Sequence, residues 1–299
     1  MTSPIALSNL ALTSLASDCH DDAEKYWHRA LRMKPAYFEA AEHLISLHCR
    51  KRRHKDAVQV VDYVRRSLRA SGRSLAHYFR SGLAAPEQYL HEVDITRLLG
   101  LIHAKGNILY LLHDQSAAGR AFEEVLSLSF GLECGTLHDF VQSVLDRLAI
   151  AFTKQKASGQ AILLTPQQAL STIYTCFGHV QHLPGLQSVS NLASLKTAFS
   201  ITSSALLSLA KILQDALLLP TPNIPSSLKG FGTSEILALY YLSLSILPSP
   251  STANNVGILL AGNQPSVDAT LSLGGSDKSG LALQYYQYGL SLDSKHAHL

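Results

Sequence analysis

One short pattern constrains this chain more than any other feature. Ala23, Trp27, Ala30 and Pro35 stand at offsets 0, 4, 7 and 12. Spacings of three to four residues put Ala23, Trp27 and Ala30 on one face of a helix. Proline lacks an N–H and stops that helix. Counting back, Leu7, Leu10 and Ala11 take the apolar and small positions of a preceding helix. The stretch from about Pro4 to Tyr37 therefore reads as two antiparallel helices. Ala11 and Ala23 let the two backbones approach, and Trp27 fills the space between neighbouring hairpins.

The pattern returns 34 residues later, with Leu44 and Ile45 for Leu10 and Ala11, and Ala57, Val61 and Val64 for Ala23, Trp27 and Ala30. A third copy begins near Leu99, with Gly106 at the small first-helix position, then Leu109, Ala118, Phe122 and Val125. A fourth is split, with Ala253–Leu260 as a first helix around Gly257, and Ala282, Tyr286 and Gly289 as its second. A helical hairpin repeated at fixed period is the signature of a solenoid. The offsets resemble those of the tetratricopeptide (TPR) repeat. The expected fold is all-α: a TPR-like helical-hairpin solenoid, or superhelix, with irregular helices and loop insertions. An irregular helical bundle is the competing arrangement.

This reading divides the chain into residues 1–70 (two repeats), 71–132 (a linker plus one repeat), 133–232 (an irregular Ser/Leu-rich helical region) and 233–299 (repeats with an insertion over 262–278). Between the repeats, a linker with a short helix is expected over Gly72–Val93, and helices over Thr136–Thr153 and Pro166–Cys176, the latter with Thr165 as N-cap. Leu183-Pro184-Gly185 marks a turn, and Ser188–Leu219 reads as one or two packed helices. Pro220–Pro225 is a rigid break, and Ser234–Leu247 another helix. From Gln187 to Ser276 the only charged residues are Lys196, Lys211, Asp215, Lys229, Glu235 and Asp268. Helices so poor in charge bury one another or cover a partner, and mutual burial is the expectation here.

Composition closes off several functions. Of 299 residues, 46% are hydrophobic and 16% charged, enough for a large core, and a net charge of +3 gives no reason to expect nucleic acid. Cys19, Cys49, Cys134 and Cys176 lie too far apart for a CxxC metal clip. Met1-Thr2-Ser3-Pro4 does not open a signal peptide. The longest apolar stretch, Ala205–Leu219, is interrupted by serines, Lys211, Gln214 and Asp215, so no membrane span is expected.

No catalytic or cofactor motif emerges, and no metal site is expected. Among 14 histidines, His43 and His48 are five apart and His179 and His182 three apart, but no HExxH occurs and no acidic or thiol ligand is placed to complete a tetrahedral set. Gly230-Phe231-Gly232 starts like a dinucleotide loop, but Glu235 stands where the last glycine belongs, and Gly275–Gly280 imitates a phosphate loop only in composition. Both are expected in loops. No GxSxG occurs. The run Arg50-Lys51-Arg52-Arg53-His54-Lys55 covers the turn between the helices of the second repeat. Its basic residues Arg50, Lys51, Arg52, Arg53 and Lys55 allow three readings: a solvated turn, a nuclear-import signal or a patch for an anionic partner.

The first helices carry Asn9-Leu10-Ala11 and Asn255-Val256-Gly257, and repeat junctions read Ala30–Ala40 and Gly289–His298. These stretches resemble the TPR region of O-linked N-acetylglucosamine transferases, in particular the fungal TPR proteins of glycosyltransferase family 41. The resemblance implies a concave groove in which Asn side chains at this position grip the backbone of a bound protein or peptide. Asn9 and Asn255 match; His43 and Ala104 take the equivalent positions in the other copies. Asn9, His43 and Asn255 are therefore the candidate partner-binding residues. In that family a separate domain carries transfer of the sugar to Ser/Thr hydroxyls, and no sugar-nucleotide-binding α/β pattern is read in this chain. Ala297-His298-Leu299 would open a further first helix, so a longer parent protein is expected. The resemblance thus implies a recognition arm without its catalytic part. The alternative is a stand-alone TPR scaffold or adaptor. Either would act in the cytoplasm, the nucleus or both, and an exposed end of the array leaves association between copies open.

Overall fold

The computed structural model describes residues 3–70, 92–132, 136–153, 161–178, 183–218, 230–262 and 275–293. These residues form thirteen helices and no strand, so the protein is all-α. They group into two compact units, Met1–Gly131 with Pro184–Ala198, and Leu132–Leu183 with Phe199–Leu299. The expected linker over 72–93 falls outside the described residues up to 91. So do the Pro220–Pro225 break, most of the 262–278 insertion and residues 294–299.

The first unit holds three helical hairpins. Helix α1 (Pro4–Ala16) pairs with α2 (His20–Met33), α3 (Phe38–Arg50) with α4 (His54–Ala70), and α5 (Glu92–Leu111) with α6 (Gln115–Phe130). Between hairpins, α2 packs on α3, and α4 on α5. Local chemistry sets the helix ends. Pro4 suits the first turn of α1, where Ser3 Oγ accepts from the Ala6 N–H at 3.1 Å. Asp114 caps α6 in the same way, through the Ala117 N–H at 2.9 Å. Helix α2 stops at Met33, just before Pro35. Leu7, Ala11, Ala23, Trp27, Ala30, Phe38, Ala41, Leu44, Ala57, Val61, Val64, Ala118, Phe122 and Val125 are buried together with little or no exposure. They include most of the positions that carry the repeat.

The three turns inside these hairpins share one backbone design. Asp18, Arg52 and His113 adopt φ of 61°, 56° and 60°. Each stands seven residues after the small first-helix position, taken by Ala11, Ile45 and Gly106. The next residue donates its N–H five residues back: Cys19 to Ser14 at 2.8 Å, Arg53 to His48 at 2.8 Å, and Asp114 to Leu109 at 3.0 Å. This closure satisfies the last helical carbonyls around one left-handed residue.

In the second unit, α11 (Thr233–Ile246) is buried on every side from Ile236 to Leu244. It packs on α7 (Leu137–Thr153), α8 (Pro166–Leu170), α9 (Thr172–Phe177) and α12 (Pro250–Ala261). The polar groups it buries are paired. Tyr240 OH donates to Gln214 Oε1 at 2.6 Å, and Tyr241 OH donates to the Ile162 carbonyl at 3.2 Å. The Ser243 and Ser203 hydroxyls lie 2.9 Å apart. Helix α13 (Gly275–Leu292) pairs with α12, and its Tyr285 OH donates to the Leu164 carbonyl at 2.8 Å. Within the charge-poor region, α11 shows the mutual burial expected of it.

Of the one or two helices expected over Ser188–Leu219, one forms, α10 (Leu192–Leu218), because nothing in its Leu/Ala/Ser alternation breaks the ladder. Over Leu192–Leu217 it is long and apolar enough, by length and composition, to cross a membrane, with a mean hydropathy of 1.2; 44% of that window is buried in the protein. Pro166–Cys176 is two short helices broken at Ser171, the first opened by a reciprocal Thr165–Gln168 cap. Gly275–Gly280 lies in the first turns of α13 instead of a loop. Gly230 and Gly232 do precede a helix in irregular backbone, and Glu235 accepts from the Gly232 N–H at 2.8 Å. The residue that spoils the nucleotide motif is thus a helix cap.

Candidate functional site

Helix periodicity places Ile5, Asn9 and Leu12 along one face of α1. Asn9 is exposed, and Ile5 and Leu12 keep 62% and 37% of their surface in solvent. Moving 34 residues on, Glu39, His43 and Ser46 hold the same positions on α3. His43 is half-buried. Its ring lies on the fully buried Trp27 indole, with centroids 5.0 Å apart and planes at 14°, and its Nε2 is 3.9 Å from Glu39 Oε1. Its face therefore covers the hairpin junction and leaves only an edge for a partner. On α5 the equivalent positions carry Ala104 and the exposed Asn107. Asn255 is half-buried on α12, in the other unit. The structure thus puts Asn9 and His43 on adjacent hairpins of one unit, while Asn255 belongs to a separate one.

The basic run forms the turn expected of it, between Arg50, the last residue of α3, and His54, the first of α4. Two of its cations are committed to carboxylates of α2. Lys51 Nζ lies 2.8 Å from Asp21 Oδ1 and 3.8 Å from Glu24 Oε2, and Arg53 pairs closely with Glu24. Arg53 also approaches Asp56 at 3.8 Å. Arg50 donates to Ser46 Oγ at 3.3 Å, and Arg52 supplies the left-handed turn residue. Arg50, Arg52 and Lys55 remain exposed.

Behind this turn lies a polar cluster that sequence reading missed. Glu24 and His28, four apart on α2, and His48 of α3 bring one potential ligand atom each to within 4.8 Å of one another. Sequence spacing showed no complete tetrahedral set around the histidines; the fold brings Glu24 and His28 to His48, a set of three. Burial pushes the His28 and His48 imidazoles below their ordinary pKa, with Glu24 pulling the other way. Burial also opposes ionisation of Glu24, but Arg53, His48 and Lys51 outweigh it and hold that carboxyl below its usual range. His48 is 2% exposed, and its Nδ1 has no hydrogen-bond partner. The available signal was Glu24-x-x-x-His28, whose spacing puts both groups on one helix face. The third member came from another helix and carried no local mark.

A second polar group joins α4, α5 and α6. Asp62 is 2.5 Å from Lys105 Nζ and 3.4 Å from Arg65 Nη1, while Glu124 is held by Arg65 and Arg69. These charges are spent on holding hairpins together.

No protein-family model and no curated protein matches this chain.

Proposed function

We propose that this chain is a TPR-type region that holds an extended segment of another protein. The carrying observation is the recurrence of one hairpin. Its left-handed residue falls at Asp18, Arg52 and His113, seven residues after Ala11, Ile45 and Gly106. Such repetition presents equivalent first-helix faces side by side. The face of α1 combines an exposed amide, Asn9, with exposed apolar Ile5 and Leu12. A side-chain amide both donates and accepts, so it can pair with the backbone of a peptide of any sequence. His43 offers a ring edge at the next position. The Asn9-Leu10-Ala11 and Asn255-Val256-Gly257 resemblance supports the narrower reading, the substrate-recognition arm of a protein O-GlcNAc transferase-like glycosyltransferase whose catalytic domain is not in this chain. A stand-alone scaffold is the second reading. It draws on the second unit, where only α12 and α13 keep the hairpin positions. Exposed Arg50, Arg52 and Lys55 fit a cytoplasmic or nuclear protein.

The test is selection from a random peptide display library on the purified chain, repeated with Asn9→Ala and His43→Ala. Recognition predicts enriched peptides whose binding falls at least about tenfold in the variants, the loss of one or two hydrogen bonds, with thermal stability retained. Enrichment indifferent to both substitutions, or none, refutes the groove. Intact-mass measurement of the endogenous protein separates the two narrower readings. A mass well above that of 299 residues favours the transferase arm, and a mass at that length favours the scaffold.

A further inference from the structure

The geometry points to a divalent metal site of the zinc class between α2 and α3, formed by the Glu24 carboxylate and the His28 and His48 imidazoles. The three potential ligand atoms lie within 4.8 Å of one another. Ligands on a tetrahedral zinc, each at about 2.0–2.2 Å, sit roughly 3.3–3.6 Å apart. Binding therefore requires the side chains to draw in by about 1 Å, with Glu24 and His28 projecting from one helix at a spacing of four and His48 from another. Two imidazoles and one carboxylate form a borderline donor set suited to Zn²⁺, and unsuited to Mg²⁺ or Ca²⁺, which take oxygen ligands. Three protein ligands leave one position for water or for an acidic group of a partner.

One further observation favours this occupant. His48 is 2% exposed, yet its Nδ1 has no partner, an arrangement that leaves a buried polar atom unsatisfied. A metal on one ring nitrogen fixes the tautomer of the other and gives a buried imidazole a defined role. Asp21 and Asp56 offset part of the positive charge of Lys51 and Arg53 beside the cluster. Arg53 is the competitor, since it occupies the Glu24 carboxylate that the metal would take. An ion held here ties the second helix of one hairpin to the first of the next and fixes the angle between them. This assignment does not rest on the recognition reading.

The test uses the untagged full chain, stripped with EDTA and titrated with Zn²⁺ by calorimetry, with Co²⁺ absorption as a second probe. A site predicts one tight equivalent per chain, a visible Co²⁺ spectrum of tetrahedral type, and a rise in melting temperature on adding zinc. Glu24→Gln, His28→Gln and His48→Gln should each weaken that equivalent by more than about tenfold. His20→Gln, outside the cluster, should leave it unchanged. Arg53→Gln, which frees the carboxylate, should strengthen it. His28→Gln and Glu24→Gln keep the test decisive if the buried His48 variant fails to fold. Tight binding that survives all three ligand substitutions, or no binding tighter than roughly 0.1 mM, overturns the assignment.

Discussion

The hairpins are held by a size exchange that can be tested directly. In the third hairpin, a Cβ added to Gly106 would come 2.5 Å from Phe122 Cε1 and 2.9 Å from Cδ1 and Cζ. The ring cannot easily yield, because Phe122 is fully buried and His103 lies against it with centroids 5.7 Å apart. Gly257 meets Tyr286 in the same way, at 2.4 Å. The equivalent pairs are Ala11 with Trp27, and Ile45 with Val61. Where the first helix carries a large residue, the second carries a small one. Gly106→Ala would gain about 1 kcal/mol of helix propensity and lose roughly 1–3 kcal/mol to overpacking, a net loss of up to about 2 kcal/mol. Gly106→Ile adds a branched side chain into the same contact and should cost more than about 3 kcal/mol. Phe122→Val leaves a cavity and should cost about 2–3 kcal/mol, somewhat less than truncation to alanine. The double variant rebuilds the Ile45/Val61 combination. It should be more stable than Gly106→Ile alone, with a favourable coupling of about 1–3 kcal/mol. Urea unfolding followed by circular dichroism reads the totals, and hydrogen exchange in α5 and α6 locates them. A double variant no better than the sum of its parts refutes the exchange.

Three further outcomes follow from the geometry. Arg52 holds φ of 56°, so Arg52→Gly should raise stability by about 0.5–1 kcal/mol in thermal melts and Arg52→Val should lower it. A Cβ on Gly185 would fall 1.9 Å from the Leu128 carbonyl oxygen and 2.7 Å from the Gly131 nitrogen, both backbone; Gly185→Ala should therefore cost at least about 3 kcal/mol, read from urea midpoints. Burial depresses the His28 and His48 pKa values below 6.5, so the unfolded chain binds more protons as pH falls through that value. In EDTA, stability should be full above about pH 7 and fall as the pH drops below about 6.5, and the double His28→Gln, His48→Gln variant should flatten that decline in melting temperature between pH 5 and 8.

How far the sequence could be read depended on distance along the chain. Pro35 and Thr165 were legible as helix ends because caps and stops act within one turn. The pairing of α12 with α13 was legible although the 262–278 insertion separates them, since the Gly257 and Tyr286 positions survive it. The split at Ser171 and the continuity of α10 were not legible, because short apolar-polar runs satisfy either outcome until neighbours choose. The stacking of His43 on Trp27 was not legible for a related reason: the two stand sixteen residues apart on different helices.

The sequence by itself determined the all-α class, the hairpin periodicity and most of the buried repeat positions, Leu10 being exposed, since these follow from 3.6-residue spacing and from where small and large residues fall. Only the tertiary structure decided that Glu24, His28 and His48 meet, that Lys51 and Arg53 turn back onto α2, and that α11 is buried on all sides. Those outcomes depend on which helix lies beside which, and that is set by packing between residues remote in sequence, for which the chain carries no local code.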